Sequence, residues 1–228
     1  MDHRPLRLTI MGDDVSMAIT DTAVVPTSEG FEQVTLLTSR GEIECRYRRA
    51  EGTGRAVIMV GGIGGGYDTP AKGLYAAMAD GLAFRDCSSL RVRYRYPTDL
   101  PECAADVLAA LRFLKGEGIT MAALVGHSLG GAAVIQAAAR SPMVRVIVAL
   151  STQSYGADAL AEVDDGVASL FIHGGNDQAL PSRCSSYAYG VAKEPKELII
   201  HDRADHSLDQ VSEEVYDEVM TWISANLR

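Results

Sequence analysis

Five consecutive residues, Gly126-His127-Ser128-Leu129-Gly130, hold a serine hydroxyl in the spacing G-x-S-x-G. A serine hydroxyl attacks an acyl carbonyl only when a neighbouring base takes its proton. Among the histidines, His206 has the setting of such a base. It lies in the polar run Asp202-Arg203-Ala204-Asp205-His206-Ser207, between the last strand-like run and the last helix-like segment. His3 is expected in a mobile tail, His127 is the variable residue of the pentapeptide and packs away from the reacting oxygen, and His173 and His201 end strand-like runs as structural residues. The imidazole needs a carboxylate to hold its tautomer and stabilise its charged form. Asp177, in the sharp turn His173-Gly174-Gly175-Asn176-Asp177-Gln178-Ala179-Leu180-Pro181, is the favoured partner because it leaves a different strand and can approach from across the site. Asp202, Asp205 and Asp209 compete for the role from beside His206.

Charge that develops on the carbonyl oxygen needs two aimed N–H donors. Leu129, directly after the serine, supplies one. The second is expected from the loop Val60-Gly61-Gly62-Ile63-Gly64-Gly65-Gly66-Tyr67, with Ile63 first and Gly64 next. That loop lacks the Gly-Lys-Ser/Thr ending of a phosphate-binding P-loop. Tyr67 on one wall and Gln153 and Tyr155 on the other are candidate substrate contacts. Arg91, Arg93 and Arg95 alternate with Val92, Tyr94 and Tyr96, which turns three guanidiniums one way. Arg95, at the end of that run, has two readings: binding a substrate carboxylate, or pairing internally with the chain's own carboxylates.

The elements that must position these groups are legible as alternating strand-like and helix-like runs, the pattern of a parallel sheet covered on both faces. Strands are expected near 34–37, 42–48, 56–60, 89–95, 121–125, 145–150, 168–172 and 197–201. Met121 to Val125 then enters the pentapeptide as a strand and Leu129 to Arg140 leaves it as an alanine-rich helix, the strand–turn–helix setting of a nucleophile elbow. A helix after Thr69-Pro70 aligns Leu74, Met78 and Leu82; one after Asp99 buries Val107, Leu111 and Leu114 and stops at Gly116. Another begins near Pro181. Ser207 and Gln210 suggest a capping box for a last helix striped by Leu208, Val211, Val215, Val219 and Trp222. Residues 1–33 read as an N-terminal extension, an extra strand or a hairpin at the sheet edge, and no linker divides residues 1–228 into more than one domain.

The glycine loop at 61–66, the pentapeptide, the His173-Gly174-x-x-Asp177-x-x-x-Pro181 turn and the Asp205-His206 loop together resemble the α/β-hydrolase superfamily, over roughly residues 34–228. In size and acid turn the chain looks most like small dienelactone-hydrolase-like serine esterases. The resemblance implies an α/β-hydrolase fold: a mostly parallel eight-stranded sheet flanked by helices, its second strand antiparallel. It also implies acyl-enzyme hydrolysis with neither a metal nor an organic cofactor. Two departures stand out: dienelactone hydrolases carry a cysteine nucleophile where this chain has Ser128, and Gly61 replaces the histidine that usually opens the oxyanion loop. The short stretch between the 145–150 and 168–172 strands implies a minimal cap and an open cleft.

Composition bounds the partners. The 228 residues are 47% hydrophobic and 22% charged, ordinary globular usage that excludes a disordered or fibrous chain. A net charge of −9 argues against nucleic-acid backbone and anionic membrane partners. Cys45, Cys87, Cys103 and Cys184 form no CxxC pair and no metal-ligand spacing, so free thiols are expected. No apolar leader is visible after Met1, and a cytoplasmic protein is the expectation. The functional reading is a serine hydrolase of small carboxylic esters. The alternatives are an acyltransferase, thioesterase or perhydrolase with the same three residues, or a non-catalytic binding module.

Overall fold

A computed structural model describes residues 5–228; His3 lies outside the described residues. The chain runs β1 (Leu6–Ile10), β2 (Asp13–Met17), β3 (Ile19–Pro26), β4 (Glu32–Thr38), β5 (Gly41–Arg48), β6 (Arg55–Val60), α1 (Leu74–Ala83), β7 (Ser88–Arg93), α2 (Leu100–Gly116), β8 (Met121–His127), α3 (Leu129–Ala138), β9 (Val144–Leu150), β10 (Ala168–Gly174), α4 (Arg183–Val191), β11 (Lys196–His201) and α5 (Ser212–Asn226). Short 3-10 helices occupy Ala157–Glu162 and Asp209–Val211.

The main sheet has the order β11-β10-β9-β8-β6-β7-β5-β4-β3. The strands from β6 to β11 are parallel to one another, and β5 runs antiparallel to both β7 and β4. Counted from β4, this is the expected eight-stranded arrangement with its second strand reversed. The expectation of eight strands falls one short, because β3 pairs antiparallel with β4 and makes nine. The extension also supplies the β1–β2 hairpin, which packs on α2 and whose Thr9 carbonyl accepts from Arg140. Of the extension's described residues, β3 is a strand at the sheet edge, whereas the β1–β2 hairpin forms a separate sheet rather than pairing at that edge.

Strands covered on both faces need apolar side chains at successive positions, and β6, β8, β9 and β10 comply. In β6, Ala56, Ile58 and Val60 point to the core shared with α2 and α3, while Val57 and Met59 point to the core shared with α1 and α5. Asp99 caps α2 by accepting from the Glu102 N–H at 3.1 Å. Two helix starts differ from expectation. The helix α1 begins at Leu74, because the Ala71 N–H is taken by the Ser207 carbonyl and the Lys72 N–H by Asp209, and both residues adopt positive φ. The expected capping box of the last helix does not form: α5 starts at Ser212 without a side-chain cap, and in the loop before it Gln210 Nε2 donates to Asp205 Oδ2 at 2.8 Å while Ser207 donates to Asp205 Oδ1. Among the described residues no helix is long and apolar enough to cross a membrane.

Candidate active site

Parallel strands that end together put their following loops side by side, and ligands of open α/β sheets bind at that carboxyl edge. Here β6, β8, β9 and β10 deliver the glycine loop, Ser128, the 151–156 segment and the Asp177 turn to the same edge.

Ser128 has φ 58° and ψ −120°, a conformation that a side-chain-bearing residue adopts only under constraint. The constraint is visible. Its N–H donates to the Leu150 carbonyl of the neighbouring strand at 2.8 Å, while its own carbonyl accepts from the Gly131 N–H at 3.0 Å. The turn can close this sharply because Gly126 and Gly130 touch: a methyl group on Gly126 would lie 2.1 Å from the Gly130 carbonyl oxygen. The helix α3 then starts at once, and Leu129, its first residue, follows the serine with a backbone N–H that no described carbonyl accepts.

His206 Nδ1 lies 2.7 Å from Asp177 Oδ2. The other carboxylate oxygen accepts from the Ala179 and Leu180 N–H groups, each at 2.8 Å. Burial alone would raise the Asp177 pKa, but those two N–H groups and the imidazole outweigh it and hold the carboxyl below its ordinary range. An ionised Asp177 places the proton of His206 on Nδ1 and leaves Nε2 as the accepting nitrogen. Two of the competing acids are otherwise engaged, and none of the three bonds the His206 ring. Asp205 binds the Ser207 N–H and hydroxyl and Gln210, and Asp209 binds the Lys72 N–H.

Among the described residues the Ser128 hydroxyl makes no hydrogen bond. It adjoins His206 through the packing of His127. The His127 ring lies against the His206 ring, with centroids 4.8 Å apart, and Gly62 packs on both Ser128 and His127. Such bonds commonly tighten only when substrate fills the site.

The glycine loop approaches Ser128 through Gly62. A methyl group there would meet the Ser128 Cβ at 3.2 Å, so a side chain at this position would push Ser128 aside by a few tenths of an ångström. Ile63, the next residue, turns its side chain outward, 63% exposed, and Gly64 faces the Asp68 carboxylate.

His173 was read as structural, and the structure gives it a specific place. Its Nδ1 lies 2.7 Å from the Ser185 hydroxyl, and its Nε2 lies 3.0 Å from the Leu180 carbonyl and 3.1 Å from Asp177 Oδ2. One carboxylate oxygen is thus shared by two imidazoles. Burial holds the His173 pKa below its ordinary value, which keeps this ring neutral. The signal in the sequence is the H-G-x-x-D spacing, in which the turn after β10 brings the carboxylate back to the ring four residues before it.

Two candidate substrate contacts are engaged by the protein's own residues, Arg95 in the internal pairing that was one of its two readings. Arg95 donates to Asp106 at 2.5 Å and to Glu102 at 2.7 Å with its side chain 3% exposed, so it is held internally rather than offered to a ligand. The strand β7 ends at Arg93, so the alternation that aligned three arginines stops two residues short of Arg95; Arg91 reaches the Tyr67 carbonyl, Arg93 pairs with Glu44, and Arg95 turns to α2. Tyr67 lies under the Arg46 guanidinium, 4.3 Å from its centroid, and its hydroxyl accepts from Gln33, which assigns it to the β4–β5 side. On the other wall, Gln153 donates to the Tyr155 carbonyl at 3.1 Å, and Tyr155, 63% exposed, lines a groove of about 520 Å³ with Asp158, Arg183 and Tyr187. The β9–β10 connection contains only one 3-10 helix, so no inserted domain covers this edge.

No protein-family model matches the chain, and no curated protein matches it in sequence. Solved structures do share its fold. A dienelactone hydrolase from Anabaena variabilis superposes with a TM-score of 0.71 at 18% identity, covering 99% of this chain and 100% of that one. A cold-adapted esterase from an Arctic intertidal metagenomic library gives 0.72 at 16% identity, covering 90% and 97%. The esterase domain of a Rhodothermus marinus protein gives 0.66 at 18% identity, covering 91% and 99%. The architecture is that of the α/β hydrolases.

Proposed function

We propose that this chain is a serine hydrolase that cleaves carboxylic esters of small substrates through an acyl-enzyme, with Ser128 as nucleophile, His206 as base and Asp177 as its orienting acid. The observation that carries this is the Asp177–His206 hydrogen bond, formed across 29 residues of chain beside a serine in a strained turn. A buried carboxylate bound to an imidazole Nδ1 has one chemical consequence: the opposite nitrogen becomes a better proton acceptor.

The steps follow from the donors and acceptors. His206 Nε2 takes the hydroxyl proton as Ser128 Oγ bonds to the acyl carbon. The Leu129 N–H and an N–H of the 62–64 loop receive the oxyanion, a contribution of about 3–4 kcal/mol per donor in comparable sites. The imidazolium returns the proton to the departing alkoxide, and water repeats the sequence on the acyl-serine. Tyr155 borders the groove that takes one arm of the ester, and Gln153 holds the Tyr155 carbonyl beside it. The uncovered edge favours water as the acceptor over a second alcohol or thiol, because nothing in the cap excludes it.

The test is a series of p-nitrophenyl esters of increasing acyl length with wild type and Ser128→Ala, combined with fluorophosphonate labelling. Turnover and labelling in wild type, and neither in Ser128→Ala, support the reading. Unlabelled wild-type protein overturns it in favour of a binding module, and acyl transfer to an added alcohol in preference to water favours a transferase.

A further inference from the structure

His127 occupies the variable place of the pentapeptide, and packing alone does not account for it. Its ring is buried, its Nε2 lies 2.8 Å from the His206 carbonyl oxygen, and its Nδ1 is buried without a partner among the described residues. A carbonyl oxygen only accepts, so Nε2 carries the proton and Nδ1 holds a bare lone pair. An apolar side chain would fill the same space without stranding an acceptor, which costs stability. What an apolar side chain would lack is the donor.

We propose that His127 is a positioning residue for His206, its Nε2–H fixing the backbone of the base's loop relative to Ser128. The inference rests on the reading of Ser128, His206 and Asp177 as the reacting group. His206 is then held at two points from two strands: Asp177, beyond β10, holds its ring nitrogen, and His127, the last residue of β8, holds its carbonyl. Because Ser128 directly follows His127, the nucleophile and the clamp on its base share one rigid strand end. The rest of the loop is anchored independently, through Ala71 to the Ser207 carbonyl and Gln210 to Asp205. Loss of the clamp therefore frees the position of His206 without unfolding its loop. Burial and the adjoining imidazole both keep His127 below its ordinary pKa, so it remains a neutral N–H donor while His206 gains and loses a proton.

Three variants separate the donor from the ring. His127→Phe keeps an aromatic ring against His206 and removes the N–H. His127→Gln carries an N–H at the reach of Nε2, and His127→Asn carries one that stops short. With p-nitrophenyl acetate, Phe and Asn are expected to lower kcat by about 10–100-fold with KM changed less than about twofold, and Gln to recover to within about threefold of wild type. Wild-type kcat in His127→Phe, or a Gln variant as slow as Asn, overturns the proposal. If the Phe variant does not fold, the Gln and Asn pair decides by the same criterion. Ser128→Ala is the control: an inactive Ser128→Ala beside a fully active His127→Asn overturns the clamp alone, whereas turnover that survives in Ser128→Ala overturns the reading beneath it.

Discussion

His206 Nδ1 and Asp177 Oδ2 are 2.7 Å apart, and the same oxygen lies 3.1 Å from His173 Nε2. The carboxylate therefore faces two imidazoles of different exposure. The His206 side chain is 27% exposed and the His173 side chain is fully buried. Only the first can meet a substrate.

The acid assignment is tested by comparing two aspartates. Asp177→Asn is expected to lower kcat by about 10³–10⁴-fold, because an amide facing Nδ1–H favours the wrong tautomer. Asp205→Asn is expected to stay within about threefold of wild type, because Asp205 serves its own loop. Equal losses in both would overturn the assignment.

The buried imidazoles set an acid limit on stability. His127 and His173 both have folded pKa values below their ordinary ones, so unfolding takes up protons. The stabilisation from neutral burial is complete above about pH 6.5 and is lost as pH falls through the folded values, by up to about 1.4 kcal/mol per pH unit for each ring. Urea unfolding between pH 7.5 and 5 should show this slope, and His173→Gln should flatten it. An unchanged slope in His173→Gln would show that the ring is not buried neutral.

Arg95 has become a stability residue. Removing it leaves the Asp106 carboxylate buried without its cation, while Glu102 keeps Arg40, and Arg95→Leu is expected to cost about 3–5 kcal/mol. Turnover of acidic and neutral esters should change together, measured as kcat/KM at a temperature where the variant is folded. A selective loss on acidic esters would restore the substrate-binding role.

The elbow glycines admit no methyl group. In Gly126→Ala the new carbon would meet backbone at 2.1 Å, which no side-chain rotation relieves. A loss of about 3 kcal/mol is expected, lowering the thermal midpoint by roughly 6–12 °C. A wild-type midpoint would mean that β8 and α3 approach less closely than described.

Most of the architecture was legible because it is local. The β-branched run Val144–Leu150 read as a buried strand from composition alone, the apolar run near 168–172 read as a strand, and Asp99 announced α2. The misreadings share one cause, contacts between residues distant in sequence. Nothing near Thr69 shows that Ser207 and Asp209 will draw the next residues out of a helix. Nothing in the alternation of Arg91, Arg93 and Arg95 shows that the strand stops before the third. The approach of Gly62 to Ser128 and the grip of His127 on the His206 carbonyl likewise join loops from separate strands.

The φ of 58° at Ser128 has a consequence for how durable this protein can be. Glycine accepts that backbone angle freely, whereas serine is held there by its surroundings. Ser128→Gly should therefore melt above both Ser128→Ala and the natural chain while hydrolysing nothing. Longevity and turnover would then be opposed at one rotatable bond, and selection for heat resistance alone would erode the hydroxyl first.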